Sequence, residues 1–124
     1  MSAIKAIQNG PNSWDVYATN REAFLAEVTF TDFDLDKNFC RLDVSFSDEV
    51  ASIDEQVSIH KHFATEAIFN RKLFEVKSSV FLTDTSALKA FELAGFLPGR
   101  EYGAGSKRAR RFTCDRYDLV RNIA

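Results

Sequence analysis

The chain has 124 residues, 45% of them hydrophobic and twelve of them phenylalanine, with 16 Lys and Arg against 18 Asp and Glu for a formal net charge of −2. That is enough apolar material for one core, with about two-thirds of the extended surface removed from water on folding, and the length predicts one domain over residues 1–124. No run approaches the roughly 18 to 20 apolar residues of a membrane span, no signal-peptide apolar segment opens the chain, and a cytoplasmic location is expected.

Residues 3–8 read as a first strand, Asn9-Gly-Pro-Asn-Ser13 as a turn and Trp14–Ala18 as a second strand. Phe24, Ala26, Val28 and Phe30 alternate with Leu25, Glu27, Thr29 and Thr31, a period of two that puts one face of a third strand in the core. Asp32–Asn38 reads as an acidic turn, and Cys40, Leu42, Val44 and Phe46 alternate with Arg41, Asp43 and Ser45 in a fourth strand. This is an antiparallel meander.

The period then changes. Ile59, Phe63, Ala67 and Phe74, flanked by Ala64, Ile68 and Leu73, predict a helix with Ser58 as its cap. Val80–Leu82 reads as a short buried strand, Asp84 or Thr85 as the next N-cap, and Ala87–Ala94 as a helix ended by Gly95 at the position after its C-cap. Pro98-Gly99 punctuates the chain, Gly103-Ala-Gly105 is the expected hairpin tip, and Arg111–Val120 reads as a final strand. The predicted order is β β β β α β α β β.

Cys40 and Cys114 fall in strands with no metal-ligand spacing, and two buried thiols in a reducing compartment are expected. From Gly99 onward seven basic residues face three acidic ones, so this quarter carries +4 and residues 1–98 carry −6. Arg100, Lys107, Arg108, Arg110 and Arg111 form either a solvated hairpin or a surface for an acidic protein partner or another copy of the chain. Nucleic acid is not expected, because only Phe112 and Tyr117 lie near enough in sequence to stack on bases.

Two segments resemble a known family. Asp84-Thr-Ser-Ala-Leu-Lys-Ala-Phe-Glu-Leu-Ala-Gly95-Phe96 resembles the late helix of GCN5-related N-acetyltransferases (GNAT), N-x-x-A-x-x-x-Y-x-x-x-G-F, with Asp84 for Asn and Phe91 for Tyr. His60-Lys-His-Phe-Ala-Thr-Glu-Ala67 resembles the family's acetyl-CoA segment, G-x-G-Y-A-T-E-A, with Phe63 for Tyr and His60 and His62 on the glycine positions. Gln56 lies one register from the expected Arg or Gln. The resemblance spans residues 14–121 in order of elements. It implies an α/β (α+β) fold of GNAT type: a mixed, mostly antiparallel central sheet with two main helices, the N-terminal helices absent or reduced to a turn near Asn9. It also implies a sheet that splays between its fourth and fifth strands, leaving an edge that a partner strand could join.

The resemblance places acetyl-CoA against Val44, Ile59, His60, Lys61, His62, Phe63, Asp84 and Phe91. It makes Asp43 or Glu27 the general base, although their place as polar residues on a solvated sheet face is the simpler explanation of both. Histidines where glycines let main chain approach phosphate, an added carboxylate at Asp84 and no phenol at Phe91 imply a degraded site. The expected function is therefore a non-catalytic binding or structural module without cofactor, similar to short GNAT-like bacteriophage proteins of the virion or of host interaction, with a protein partner or self-association. The alternative is a small acetyl-CoA-dependent N-acetyltransferase acting on a protein or small-molecule amine, with the amide near Val44 polarising the thioester. No metal is expected: His60 and His62 are two apart, not three or four as on one helix face, and no third ligand accompanies them.

Overall fold

The structure is a computed structural model and describes residues 3–48 and 51–123. Strands β1 (Ile4–Gly10), β2 (Ser13–Ala18), β3 (Phe24–Asp34) and β4 (Phe39–Phe46) form the antiparallel meander. Only Pro11 and Asn12 separate β1 from β2, so no helix stands between them. Helix α1 (Ile53–Thr65) runs into a π-helical turn at Glu66–Asn70, followed by β5 (Glu75–Phe81), α2 (Thr85–Leu93), β6 (Leu97–Tyr102), β7 (Ala109–Asp115) and α3 (Arg116–Ile123). The seven strands make one sheet in the order β1-β2-β3-β4-β5-β7-β6, in which only β4 and β5 are parallel. This is the mixed, mostly antiparallel sheet that the sequence predicts.

Alternation decides which side each residue takes. The cross-strand row Trp14, Val28, Val44 faces the helices, and the next row, Asp15, Glu27, Ser45, faces away. Helix α1 fits its first side because Ile59, Phe63 and Ala64 share one stripe and are all buried. Phe63 meets Trp14 with ring centroids 5.2 Å apart and Phe30 at 6.1 Å. Under β5 and β7, Phe91 of α2 stacks on Phe112 at 5.3 Å. Truncating a fully buried ring such as Phe63 to Ala costs about 3–5 kcal/mol.

Helix α2 ends as the sequence predicts. The Asp84 side chain accepts the Ala87 N–H at 3.1 Å, and Gly95 takes φ 93° just past the C-cap Ala94. Phe96 N–H then bonds Phe91 O at 3.0 Å while the two rings touch at 5.0 Å, the paired signature of a Schellman stop. A Cβ at Gly95 would strain that left-handed backbone.

Four expectations are corrected. Helix α1 starts at Ile53, not after Ser58: the Ser52 side chain accepts the Glu55 N–H at 3.1 Å and Glu55 Oε1 accepts the Ser52 N–H at 2.9 Å, a complete capping box. His60 and His62 therefore lie in the second half of the helix and not in its first turn. Strand β3 runs on to Asp34 through an irregularity at Asp32 (φ 50°), so the turn is shorter than Asp32–Asn38. Strand β5 spans Glu75–Phe81 in place of Val80–Leu82, because Phe74 has left the helix and Val76, Ser78 and Val80 alternate inward. The final strand stops at Asp115, whose carboxylate accepts the Asp118 N–H at 2.9 Å, while Asp118 returns the bond to Asp115 N–H at 3.1 Å and starts α3. Leu119 of that helix is buried and Val120 is exposed.

Cys40 and Cys114 both pair with Val76, from opposite sides. Two strand spacings, about 10 Å, separate them, beyond disulfide reach, and both are free. Burial pushes both thiols up to about 12.

Candidate functional site

Strands β4 and β5 pair only from Phe39 with Glu75 to Arg41 with Lys77, and then part. The direction of the free backbone groups follows from two hydrogen bonds. Ser47 N–H bonds Leu25 O at 2.8 Å, so the odd residues of β4 bond β3, while Leu42, Val44 and Phe46 turn their N–H and C=O toward β5. The Ser78 hydroxyl, donating to Leu42 O at 2.8 Å across the gap, agrees and closes its base. One residue pair further along, Val44 has no ladder partner on β5. On the other wall, Leu82 N–H bonds Arg108 O at 2.9 Å, so Ser79 presents its backbone to the gap.

A cavity of about 300 Å³ fills this notch. Glu27, Thr29, Asp43 and Ser45 line it from the side away from the helices, and Val44, Val80, His60, Asp84 and Phe91 from the helix side. Thr31 donates its hydroxyl to Asp43 Oδ2 at 2.7 Å, which fixes that carboxylate and leaves its second oxygen available. Asp84 is committed as the α2 cap. Four larger hollows, about 350, 390, 580 and 750 Å³, are shallow surface depressions; in the one of about 580 Å³, Arg41 and Asp32 already pair with each other.

His60 is the unusual wall residue. It is fully buried, stacked on Phe91 with centroids 3.7 Å apart and planes 14° off parallel, with Phe96 edge-on at 6.3 Å. Neither ring nitrogen has a hydrogen-bond partner. Burial lowers its pKa to about 3, so the ring is neutral at physiological pH.

The start of α1 is occupied by the chain itself. Two guanidinium nitrogens of Arg21 lie 2.8 and 3.1 Å from the Glu55 carboxylate, and this pairing holds the Glu55 carboxyl below its usual range. The capping box uses the Ser52 and Glu55 N–H groups and leaves those of Ile53 and Asp54. The sequence has no glycine between Gly10 and Gly95.

Six of the residues singled out in the sequence therefore meet in one cavity: Glu27, Asp43, Val44, His60, Asp84 and Phe91. The other four of the proposed cofactor set do not reach it. Ile59 and Phe63 are fully buried in the core, and Lys61 and His62 line a separate surface groove with Ser58 and Glu66. On the basic hairpin Arg108 and Arg110 both pair with Glu101, Arg100 and Lys107 are exposed, and Arg111 borders the depression beside Asp32 and Asp34. Among the described residues no cluster of three His, Cys, Asp or Glu could hold a metal ion, and no helix is long and apolar enough to cross a membrane.

Sequence reasoning missed Ser78, which closes the notch, and the Ser52–Glu55 box with Arg21. The first had no signal beyond a polar residue in a strand. The second had one, since Ser-x-x-Glu before an apolar helix marks an N-terminus.

The sequence matches no family model and no curated protein. Solved structures do match. The chain is similar to mutant forms of the spermidine/spermine N-acetyltransferase SpeG from Vibrio cholerae, at 8% identity over 90% of this chain and 70% of that one, with a TM-score of 0.76. It is similar to a further mutant of the spermidine N-acetyltransferase SpeG, at 8% identity, 90% and 68% coverage and a TM-score of 0.75. It is also similar to SpeG in complex with manganese ions, at 9% identity, 90% and 69% coverage and a TM-score of 0.74. These are bacterial enzymes, and a likeness to virion proteins gains nothing from them. At such identities the likeness concerns the fold alone, and the chain has a GNAT-like fold with β1 joined directly to β2.

Proposed function

We propose that the chain is a small acetyl-CoA-dependent N-acetyltransferase whose reaction takes place in the β4/β5 notch, within one domain over residues 1–124 and in the cytoplasm. The observation that carries this reading is Val44: a backbone N–H on a central strand, turned into a cavity at the point where the neighbouring strand has left. Such an N–H polarises a carbonyl without reorganising, the commonest large contribution to acyl transfer. The extended thioester arm of the donor fits between Val44 and Ser79, where the missing strand would lie. When bound, the donor supplies an activated acyl group.

The acceptor is an amine, and a small cationic one suits the carboxylates of Glu27, Asp43 and Asp84 around the cavity. The SpeG neighbours act on spermidine, which places polyamines first among substrates to try. Asp43 accepts the proton that the amine must lose, directly or through water. The test is release of free thiol from acetyl-CoA on addition of spermidine, other small amines and N-terminal peptides. Turnover with any of them supports the reading; none with all of them overturns it.

A second reading, a binding module without turnover, is favoured by the start of α1. A diphosphate at that helix end would meet a closed capping box, no glycine and the carboxylates of Asp54 and Glu55. In that reading the exposed notch edge or the basic hairpin receives a protein partner or another copy of the chain.

A further inference from the structure

We propose that His60 is a catalytic hydrogen-bond donor, presenting an imidazole N–H to the sulfur atom that leaves as the acyl group passes to the amine. The assignment rests on the acyl-transfer reading of the notch and deepens it. It starts from an inventory of the cavity wall. On the helix side Leu42, Val44, Val80, Ala87 and Phe91 offer no polar side-chain atom. The Ser78 hydroxyl is spent on Leu42 O, and Asp84 is an acceptor already used as a cap. His60 alone on that side is fully buried with both of its ring nitrogens unpartnered.

An unpaired buried imidazole is a standing cost to the fold. A leucine or phenylalanine would serve the same packing against Phe91 and Phe96 without that cost, and helix α1 already buries Ile59 and Phe63 beside it. The polar ring therefore fits a partner that comes and goes with the ligand. A departing thiolate needs a donor, and the carboxylates at Glu27, Asp43 and Asp84 can only repel it.

Burial keeps the ring neutral, with a pKa of about 3, so it carries one N–H and one lone pair. It acts as a donor, not as a proton source. The amine lone pair forms the new N–C bond, the C–S bond breaks with its electron pair remaining on sulfur, and the ammonium proton leaves through Asp43. The thiolate, stabilised by the His60 N–H, takes its proton from solvent, and the imidazole keeps its own. A neutral histidine used as an electrophile in this way has precedent in general enzyme chemistry.

The experiment compares wild type with His60→Phe, which keeps the stack on Phe91, and His60→Gln, which restores an N–H. Three readouts are taken: melting temperature without ligand, binding of CoA followed by the imidazole 15N signals, and kcat with the amine that wild type accepts. The expected result is a His60→Phe protein that melts above wild type and loses about 100-fold in kcat, with His60→Gln recovering part of that loss. The wild-type His60 15N signals shift on adding CoA. Wild-type kcat in His60→Phe, or unmoved 15N signals with CoA bound, overturns the assignment and leaves acyl transfer standing. A His60→Phe protein that melts lower and loses kcat with no recovery in His60→Gln marks the ring as core filling and also overturns it. A wild type that neither binds CoA nor turns over acetyl-CoA fails differently: it removes the acyl-transfer reading, and the assignment falls with it.

Discussion

The β4/β5 notch and the start of α1 follow one another in the chain, and they treat their polar groups in opposite ways. In the notch a strand edge is left open at Val44, and His60 is buried with no partner. At the start of α1, Ser52, Glu55 and Arg21 satisfy one another completely. A folded chain keeps nearly all buried polar groups paired, so the unpaired region is the one arranged for something from outside. The paired region contributes stability and closes a position where an anion could sit. On the proposed reading, the contrast teaches that a fold shared with acetyltransferases keeps the thioester end of a site and alters the phosphate end.

Three changes bear on this contrast. The largest effect is expected at Asp43. Asp43→Asn keeps the bond from Thr31 but removes the proton acceptor, and kcat should fall about 100-fold, within the usual range for general-base loss, while the circular dichroism spectrum is unchanged. Equal rates in the two proteins would move the base elsewhere, with Glu27 the next residue to replace.

The next effect is on stability. The His60 pKa lies near 3 in the folded chain and near 6.5 when unfolded. Between these values the unfolded state binds the extra proton, so stability is full above about pH 6.5 and falls as pH drops, by up to about 1.4 kcal/mol per unit. Glu27, Asp43 and Asp84 share the cavity with His60, so the quantity to read is a difference. Urea unfolding of wild type and His60→Leu between pH 7 and 4.5 should show a shallower slope in the variant. Parallel slopes would mean that the ring finds a proton partner in the fold.

The smallest effect concerns α1. Because the capping box takes two N–H groups of the helix end and sets the Glu55 carboxylate beside it, acetyl-pantetheine, which lacks the nucleotide diphosphate, should be used within about tenfold of acetyl-CoA in kcat/KM, a gap of about 1.4 kcal/mol or less. Ser52→Gly frees the Glu55 N–H, costs only a few tenths of a kcal/mol as a cap, and should widen the preference for acetyl-CoA. A wild-type preference of a thousandfold would show the helix end to be a working phosphate site.

Much of the sheet was legible from alternation, since Trp14–Ala18, Val28–Phe30 and Cys40–Val44 each repeat with period two against a polar face. Asp84 and Gly95 were legible because cap chemistry is local. The start of α1 was misplaced because Ser58 stands just before Ile59 as a cap would, while Ser52-Ile-Asp-Glu55 carried the true signal six residues earlier. The final strand was overrun into α3 because Tyr117, Leu119 and Val120 suit a strand as well as a helix turn, and only the reciprocal bonds of Asp115 and Asp118 decide. In the site, the resemblance singled out Glu27, Asp43 and Val44 on central strands, and the structure brings all three to one cavity. The orphaned state of His60 was not readable, because it depends on Phe91 and Phe96, more than thirty residues away, closing over the ring.

The central claim is that Val44 offers its N–H to an acyl thioester, and amide hydrogen exchange at Val44 tests it most directly. In the free protein this amide should exchange much faster than its β3-bonded neighbours Asp43 and Ser45, and a saturating non-hydrolysable acetyl-CoA analogue should slow it selectively. A Val44 amide already protected in the free chain, or one that the analogue leaves unchanged while binding elsewhere, would contradict the account.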